Sequence, residues 1–251
     1  MDSCFMDISN LFDAHTHFHE GMDEGHSFVL SGYSFKSNML AMQKVANLKN
    51  AYFSLGLGPQ EIQRSDIYPD LQKSIDEIIS QMNFASKDSS LSKKFVAIGE
   101  VGLDSHWGKS TEHKERQFEA FEKMISISKK LNKPLVIHSR DAEKECIQQL
   151  HAADCKKVMM HCFGGKFSDA KICADAGWLI SIAPQKNSQR KKIIKSLPLE
   201  SLVVESDAPY IAKTSAAGAR LGAKMIAEYR QISEQEASDA TFANAKRLFG
   251  I

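Results

Sequence analysis

Asp13, His15 and His17, in the run LFDAHTHF, are residue types that bind metals or move protons, and they occupy alternate positions. Alternate residues of an extended strand share a face, so the run predicts three polar groups pointing the same way. A pair of neutral imidazoles at i and i+2 can bind one metal ion from a single strand, with coordination offsetting desolvation. Alone, the run is equally compatible with two hydrogen-bonded core histidines or an exposed polar edge. Later apolar runs end on similar groups. FVAIGEVGLD carries Glu100 after Gly99, PLVIHS stops at His138, KVMMHC stops at His161, and SLVVESDAPY brings Glu205 and Asp207 to one face before Pro209. Five runs that each deliver His, Asp or Glu at the carboxyl end point to one assembled site. Imidazole plus carboxylate without thiolate suits zinc, manganese or another divalent transition ion, and magnesium less naturally. Cys162 follows His161 directly, so strand alternation predicts it on the opposite face, against a helix. Four histidines (His15, His17, His138, His161) and two carboxylates (Glu100, Asp207) are too many for one tetrahedral catalytic ion. They fit two ions sharing Glu100 as a bridge.

The elements that must position these groups alternate along the chain. Strand-like runs fall near 11–18, 27–33, 51–57, 95–103, 134–139, 157–163, 178–183 and 201–208, and helical periodicity near 36–49, 70–84, 111–131, 141–153, 166–176 and 187–197, with a C-terminal pair from about 216 and 233. Strands alternating with helices imply parallel pairing. About eight such units in 251 residues is the size of a TIM-type (β/α)8 barrel, with an open doubly wound sheet as the rival. The segment EGMDEGH between His19 and Ser27 is too short and too rich in glycine and acids for the usual first crossover helix, so the N-terminal segment or a partner subunit is expected to cover the outer faces of the first two strands. With no linker, repeat or low-complexity tract, one domain over 1–251 is the expectation.

Composition excludes several classes. Hydrophobic residues at 43% and charged residues at 25% are globular values, and no apolar run has the length to cross a bilayer. Lys+Arg 32 against Asp+Glu 31 leaves a net charge of +1, so no global field recruits nucleic acid or membrane, and attraction for phosphate must be local. The opening MDSCFMDISN lacks a basic n-region, and five cysteines without CxxC spacing argue against a disulfide framework or a structural zinc finger. A reduced, cytoplasmic protein without membrane association is expected.

Several blocks in order, DAHTH, IGEVGLD, RQFEAFEKMISISKKLNKPLVIHSRDA, HCFGG, VVESDAPYI and NAKRLFG, resemble the TatD-like metal-dependent hydrolases, the TatD-type deoxyribonucleases among amidohydrolase-like barrels. The resemblance covers most of the chain from residue 11 and is weakest between 20 and 90. It implies that His15, His17 and Asp207 hold one ion, that His138 and His161 hold the other, and that Glu100 bridges. Water acidified by the metal would attack phosphorus, with Asp207 doubling as the base that orients it. Glu205 would bond a ligand imidazole from behind or, alternatively, pair with a Lys or Arg. The implied activity is divalent-metal-dependent phosphodiester hydrolysis of DNA ends or single strands. Cleavage of a carbon-centred ester or amide, such as an aminoacyl linkage, is the alternative, and a metal-containing scaffold without turnover a third reading.

Arg140, just after His138 and Ser139, is the candidate phosphate contact; a salt bridge to Asp141 or Glu143 is the competing assignment. Trp107 and His106 lie in the loop after the Glu100 run, where an aromatic face can stack on a base or simply pack. One departure from the family pattern stands out. Where the family commonly reads Gly-x-His-Pro-His, this chain has Gly56, Leu57, Gly58, Pro59 and Gln60. No proposed metal ligand is lost, but a histidine able to donate to phosphate is missing, and the expectation is DNA turnover about ten- to a hundredfold below relatives that have it.

Overall fold

The protein is described by a computed structural model covering residues 9–251 apart from 21, 23, 24 and 65. Cys4, most of the N-terminal run and part of EGMDEGH lie outside the described residues. Eight strands form one parallel sheet in sequence order. They are β1 (Phe12–Thr16), β2 (Ser27–Ser31), β3 (Ala51–Leu55), β4 (Phe95–Gly102), β5 (Leu135–His138), β6 (Val158–Met160), β7 (Leu179–Ile182) and β8 (Leu202–Val204). The extension of β8 meets β1 through Asp207 N donating to His15 O (3.1 Å) and His17 N donating to Ala208 O (2.8 Å), so the sheet is a nearly closed barrel. The doubly wound alternative is thereby set aside.

The helices are α1 (Phe35–Val45), the short α2 (Pro59–Ile62), α3 (Leu71–Lys87), α4 (Thr111–Leu131), α5 (Glu143–Ala152), α6 (Phe167–Asp175), α7 (Ser188–Ser196), α8 (Ser215–Arg230) and α9 (Glu234–Phe249). Local chemistry sets many of their ends. Asp70, Ser110, Asn187, Thr214 and Ser233 each accept a backbone N–H of the first turn, satisfying donors the helix leaves open. Asn132 and Gly250 close α4 and α9 in the left-handed conformation. Helix α2 was not predicted: Pro59 opens it, but four residues carry too little periodicity to read.

Two apolar layers separate inside from outside. Phe12, Ala14, Val29, Val96, Val136, Met159, Leu179 and Val203 pack together and are met by Ala245 and Phe249 of α9, which plugs the amino-terminal end of the barrel. Phe28, Leu30, Phe53, Leu55, Ile98, Ile137, Met160 and Ile180 belong to the larger cluster shared with the helices. The expectation of a missing first crossover helix falls on EGMDEGH, where residues 21, 23 and 24 lie outside the described residues. Helices α1 and α8 and the partly buried Met22 pack against the outer side of these first strands, where the N-terminal segment or a partner subunit was expected; most of the N-terminal segment lies outside the described residues. No helix among the described residues is long and apolar enough to cross a membrane.

Candidate metal centre

The carboxyl ends of β1, β4, β5 and β6 and the turn after β8 bring His15, His17, Glu100, His138, His161 and Asp207 together. Their possible ligand atoms form three overlapping trios, each within 4.8 Å: His15, His17 and Glu100; His15, His161 and Asp207; Glu100, His138 and His161. Glu100 divides its oxygens. Oε2 lies 3.7 Å from His15 Nε2 and 3.5 Å from His17 Nε2, and Oε1 lies 2.7 Å from His138 Nδ1. Asp207 Oδ1 is 3.5 Å from His17 Nε2 and 3.9 Å from His15 Nε2. The His15 and His161 rings stack with centroids 3.6 Å apart.

Each imidazole is held from behind. His17 Nδ1 faces the Ser31 carbonyl oxygen at 3.1 Å. A carbonyl can only accept, so Nδ1 carries the proton and Nε2 presents a lone pair. His15 Nδ1 is 3.0 Å from Ser31 Oγ, which accepts a further bond from Ser54 Oγ. His161 Nδ1 lies 3.0 Å from Glu205 Oε2, and His138 Nε2 lies 2.8 Å from Asp104 Oδ2. Outer partners of this kind fix the tautomer and aim of metal-binding rings. Glu205 thus stands behind His161, completely buried. Ser31 and Asp104 had no assigned role from sequence; Asp104 was visible as the last residue of IGEVGLD, but only folding shows which ring it meets.

Backbone features create the convergence. Gly102, at the end of β4, has φ of +135°, and a Cβ there would lie 2.1 Å from His138 O. Only glycine lets β4 run this close to β5 and set Glu100 and Asp104 on either side of the His138 ring. Asp207 has φ of 45°, an uncommon left-handed position for a residue with a Cβ.

Two expectations about facing are corrected. Asp13 does not share a direction with His15 and His17. Phe12 and Ala14 pack inside the barrel, whereas Asp13 accepts from Ser206 N (2.9 Å) and from Ser215 Oγ of α8 (2.6 Å). The β1–β2 register slips between Asp13 and Thr16, and the extra residue of this bulge turns the following histidines to the mouth. Cys162 does not point away from His161. Strand β6 ends at Met160, Cys162 has φ of 43°, and both residues line one cavity. Alternation fails once the strand has ended. Burial holds the Cys162 thiol well above its usual range, so it is neutral, and the four described cysteines are all free.

Electrostatics follow from crowding acids and imidazoles away from water. Burial opposes charge on Glu100, but the hydrogen bond from His138 and the charges of His138 and His161 outweigh it and hold the carboxyl well below its usual range. Burial likewise opposes protonation of His138, yet hydrogen bonds to Asp104 and Glu100 push it up to about 9. Burial is again overcome at His161, where Glu205 is the main cause of a rise to about 10. His15 moves the other way, well down, through burial and the neighbouring imidazoles. The carboxylates therefore demand positive charge in this space, which protons on two rings supply in the metal-free protein. A donor set of imidazole nitrogens and carboxylate oxygens, already aimed, fits divalent transition metals.

The mouth is a cavity of 470 Å³ lined by His138, His161, Asp207, Arg140, Cys162, Gln185 and Tyr210, among others. Arg140 leans over the exposed Trp107, with its Cζ 5.9 Å from the ring centroid, and Asp141 pairs with His106 instead. Opposite, the Tyr33 and Tyr210 hydroxyls lie 3.1 Å apart, and both rings pack edge-on to His17. His19 is not drawn into the centre; its Nδ1 meets His17 O at 2.9 Å. Gln60 reaches Glu100 Oε1 at 3.4 Å, a contact the sequence did not foretell.

Known proteins resemble this one in sequence and in fold. The sequence profile of the family described as TatD related DNase matches residues 12–250. An uncharacterized metal-dependent hydrolase of Bacillus subtilis, YabD, is 35% identical over 66% of this chain and 69% of its own length. Deoxyribonuclease TATDN3 of Homo sapiens is 34% identical over 62% of this chain and 60% of its own length. Among solved structures, YJJV, a TatD homologue from Escherichia coli, superposes with a TM-score of 0.81 at 22% identity, covering 98% of this chain and 100% of that one. With the barrel and the cluster at its mouth, the profile match along nearly the whole chain leads to one conclusion: this protein belongs to the TatD family of metal-dependent hydrolases.

Proposed function

We propose that the protein is a phosphodiesterase that hydrolyses DNA at ends or in single strands with two divalent ions, of zinc, manganese or magnesium, held by His15, His17, Glu100, His138, His161 and Asp207. The observation that carries this reading is the division of Glu100, one oxygen toward His15 and His17 and the other toward His138, as a bridging carboxylate requires. Those residues would hold the ions, and the chemistry the ions would supply is Lewis acidity, lowering the pKa of water and offsetting negative charge on phosphorus. The protein's own groups do the rest. Asp207, within reach of His17 and open to the cavity, takes the proton of the attacking water on a carboxylate oxygen and returns it to the leaving oxygen. Arg140, at the rim, holds a non-bridging phosphate oxygen, for which its planar fork is suited. Trp107 beside it and the Tyr33–Tyr210 pair opposite bound the entrance. The deoxyribonuclease name of the human relative favours DNA; a carbon-centred ester or amide is the alternative substrate class.

The test is metal analysis of the purified protein combined with a screen of end-labelled single- and double-stranded DNA, phosphomonoesters and aminoacyl esters. Nucleotide release that stops with a chelator and returns with metal is the expected result. Activity confined to carbon-centred esters would transfer the site to the alternative, and stoichiometric metal without any turnover would remove the catalytic reading.

A further inference from the structure

Gln60 stands in the first turn of α2, and its side chain folds back toward the mouth. Its Nε2 donates to Glu100 Oε1 at 3.4 Å, the same oxygen that His138 Nδ1 approaches at 2.7 Å. A carboxylate can only accept, so the amide must turn its nitrogen to Glu100, and Oε1 is left buried without a hydrogen-bond partner among the described residues. Leaving a buried carbonyl oxygen unmatched is unfavourable, and a side chain with other options would rotate out to water.

What lets it stay is Gly58. Gly58 has φ of −70° and ψ of 146°, extended backbone that any residue adopts, so conformation does not require glycine. Space does. A Cβ on Gly58 would lie 2.7 Å from Gln60 Oε1, 2.8 Å from Nε2 and 2.9 Å from Cδ, closer than non-bonded atoms tolerate. The two positions form one device: the missing side chain at Gly58 is the slot that holds the Gln60 amide against Glu100.

We propose that Gln60 is a positioning residue for the candidate metal centre, holding the Glu100 carboxylate in its two-sided orientation, and that Gly58 is glycine in order to seat it. The inference rests on the reading of Glu100 as a metal ligand. It does not depend on DNA being the substrate.

The experiment is calorimetric titration of Mn²⁺ into the metal-free full-length protein, with the visible spectrum of the Co²⁺ form as a second readout. Gln60→Met keeps the length and removes the donor; Gly58→Ala keeps the donor and fills the slot. Each is expected to weaken Mn²⁺ binding about tenfold, the lower end of what outer partners of metal ligands contribute. Each should also shift the Co²⁺ bands, because Glu100 changes how it binds, while the metal-free melting temperature stays put. The double variant should be no weaker than Gln60→Met alone, since both changes remove the same contact. Wild-type affinity and an unchanged Co²⁺ spectrum in Gln60→Met overturn the proposal, as do two losses that simply add. Gln60→Met decides alone if Gly58→Ala fails to fold. If the wild-type protein takes up neither ion, the metal reading falls and this inference with it. If the variants behave as expected but DNA is not cleaved, only the substrate assignment fails.

Discussion

At the amino-terminal end of the barrel Phe12 stacks with Tyr52 and Phe249, at centroid distances of 6.2 and 6.0 Å, and meets Phe242 edge-on at 6.0 Å. Three residues further along the same strand, His15 lies as deeply buried, but among imidazoles and carboxylates. The first environment is held by apolar burial, which is non-directional and needs only volume to be filled. The second needs every nitrogen and oxygen aimed, and each ring there depends on a named partner in or just after another strand: Ser31, Asp104 or Glu205. The plugged end supplies stability, so the open end can hold a charge-hungry cluster that would not fold by itself. Stability and activity should therefore separate along this axis.

The sharpest test of that separation is Asp207→Asn, which keeps shape and removes charge and basicity. Turnover is expected to fall about 10²–10⁴-fold with little change in unfolding free energy. Near-full activity would take Asp207 out of the catalytic set. The converse change is Phe12→Ala at the plugged end, expected to cost about 3–5 kcal/mol of stability in chemical denaturation while the surviving folded fraction binds metal normally. Metal affinity lost in step with stability would show that the two ends are coupled.

A smaller effect is expected behind the candidate ligands. Glu205→Gln leaves a group of the same size at His161 Nδ1 but removes the carboxylate, and Mn²⁺ affinity should fall about 10–100-fold. An unchanged affinity would reduce Glu205 to packing. A further effect is in pH. His138 and His161 are raised from the ordinary 6.5 to about 9 and about 10. A group raised in the folded state stabilises fully below its unfolded value and loses that contribution as pH rises through its folded value. The chelated protein should therefore lose melting temperature between pH 6.5 and about 10. Metal displaces these protons, so the loaded protein should show a flatter profile. A flat profile without metal would mean that the two rings are not protonated in the fold.

Much of the candidate site was legible because its members lie at or near the ends of apolar runs. His138 and His161 each close a hydrophobic stretch and Glu100 lies near the end of one, and buried strand ends at one face of a barrel converge whatever the exact register. Asp104 and Ser31 were not legible as partners, since neither breaks a pattern: one follows an expected strand and the other lies inside one.

By itself the sequence determined the alternation of strand and helix, most helix starts through their capping side chains, and the kinds of donor at the mouth. These follow from local periodicity and short-range hydrogen bonding, which a few neighbouring residues carry. Tertiary structure alone decided that a bulge turns Asp13 to α8 and His15 to the mouth, that Cys162 joins the cavity wall, and that Gln60 occupies the slot above Gly58. Each depends on the position of a residue from another element, and the direction of a side chain past a bulge, a strand end or a tight turn is set by that neighbour.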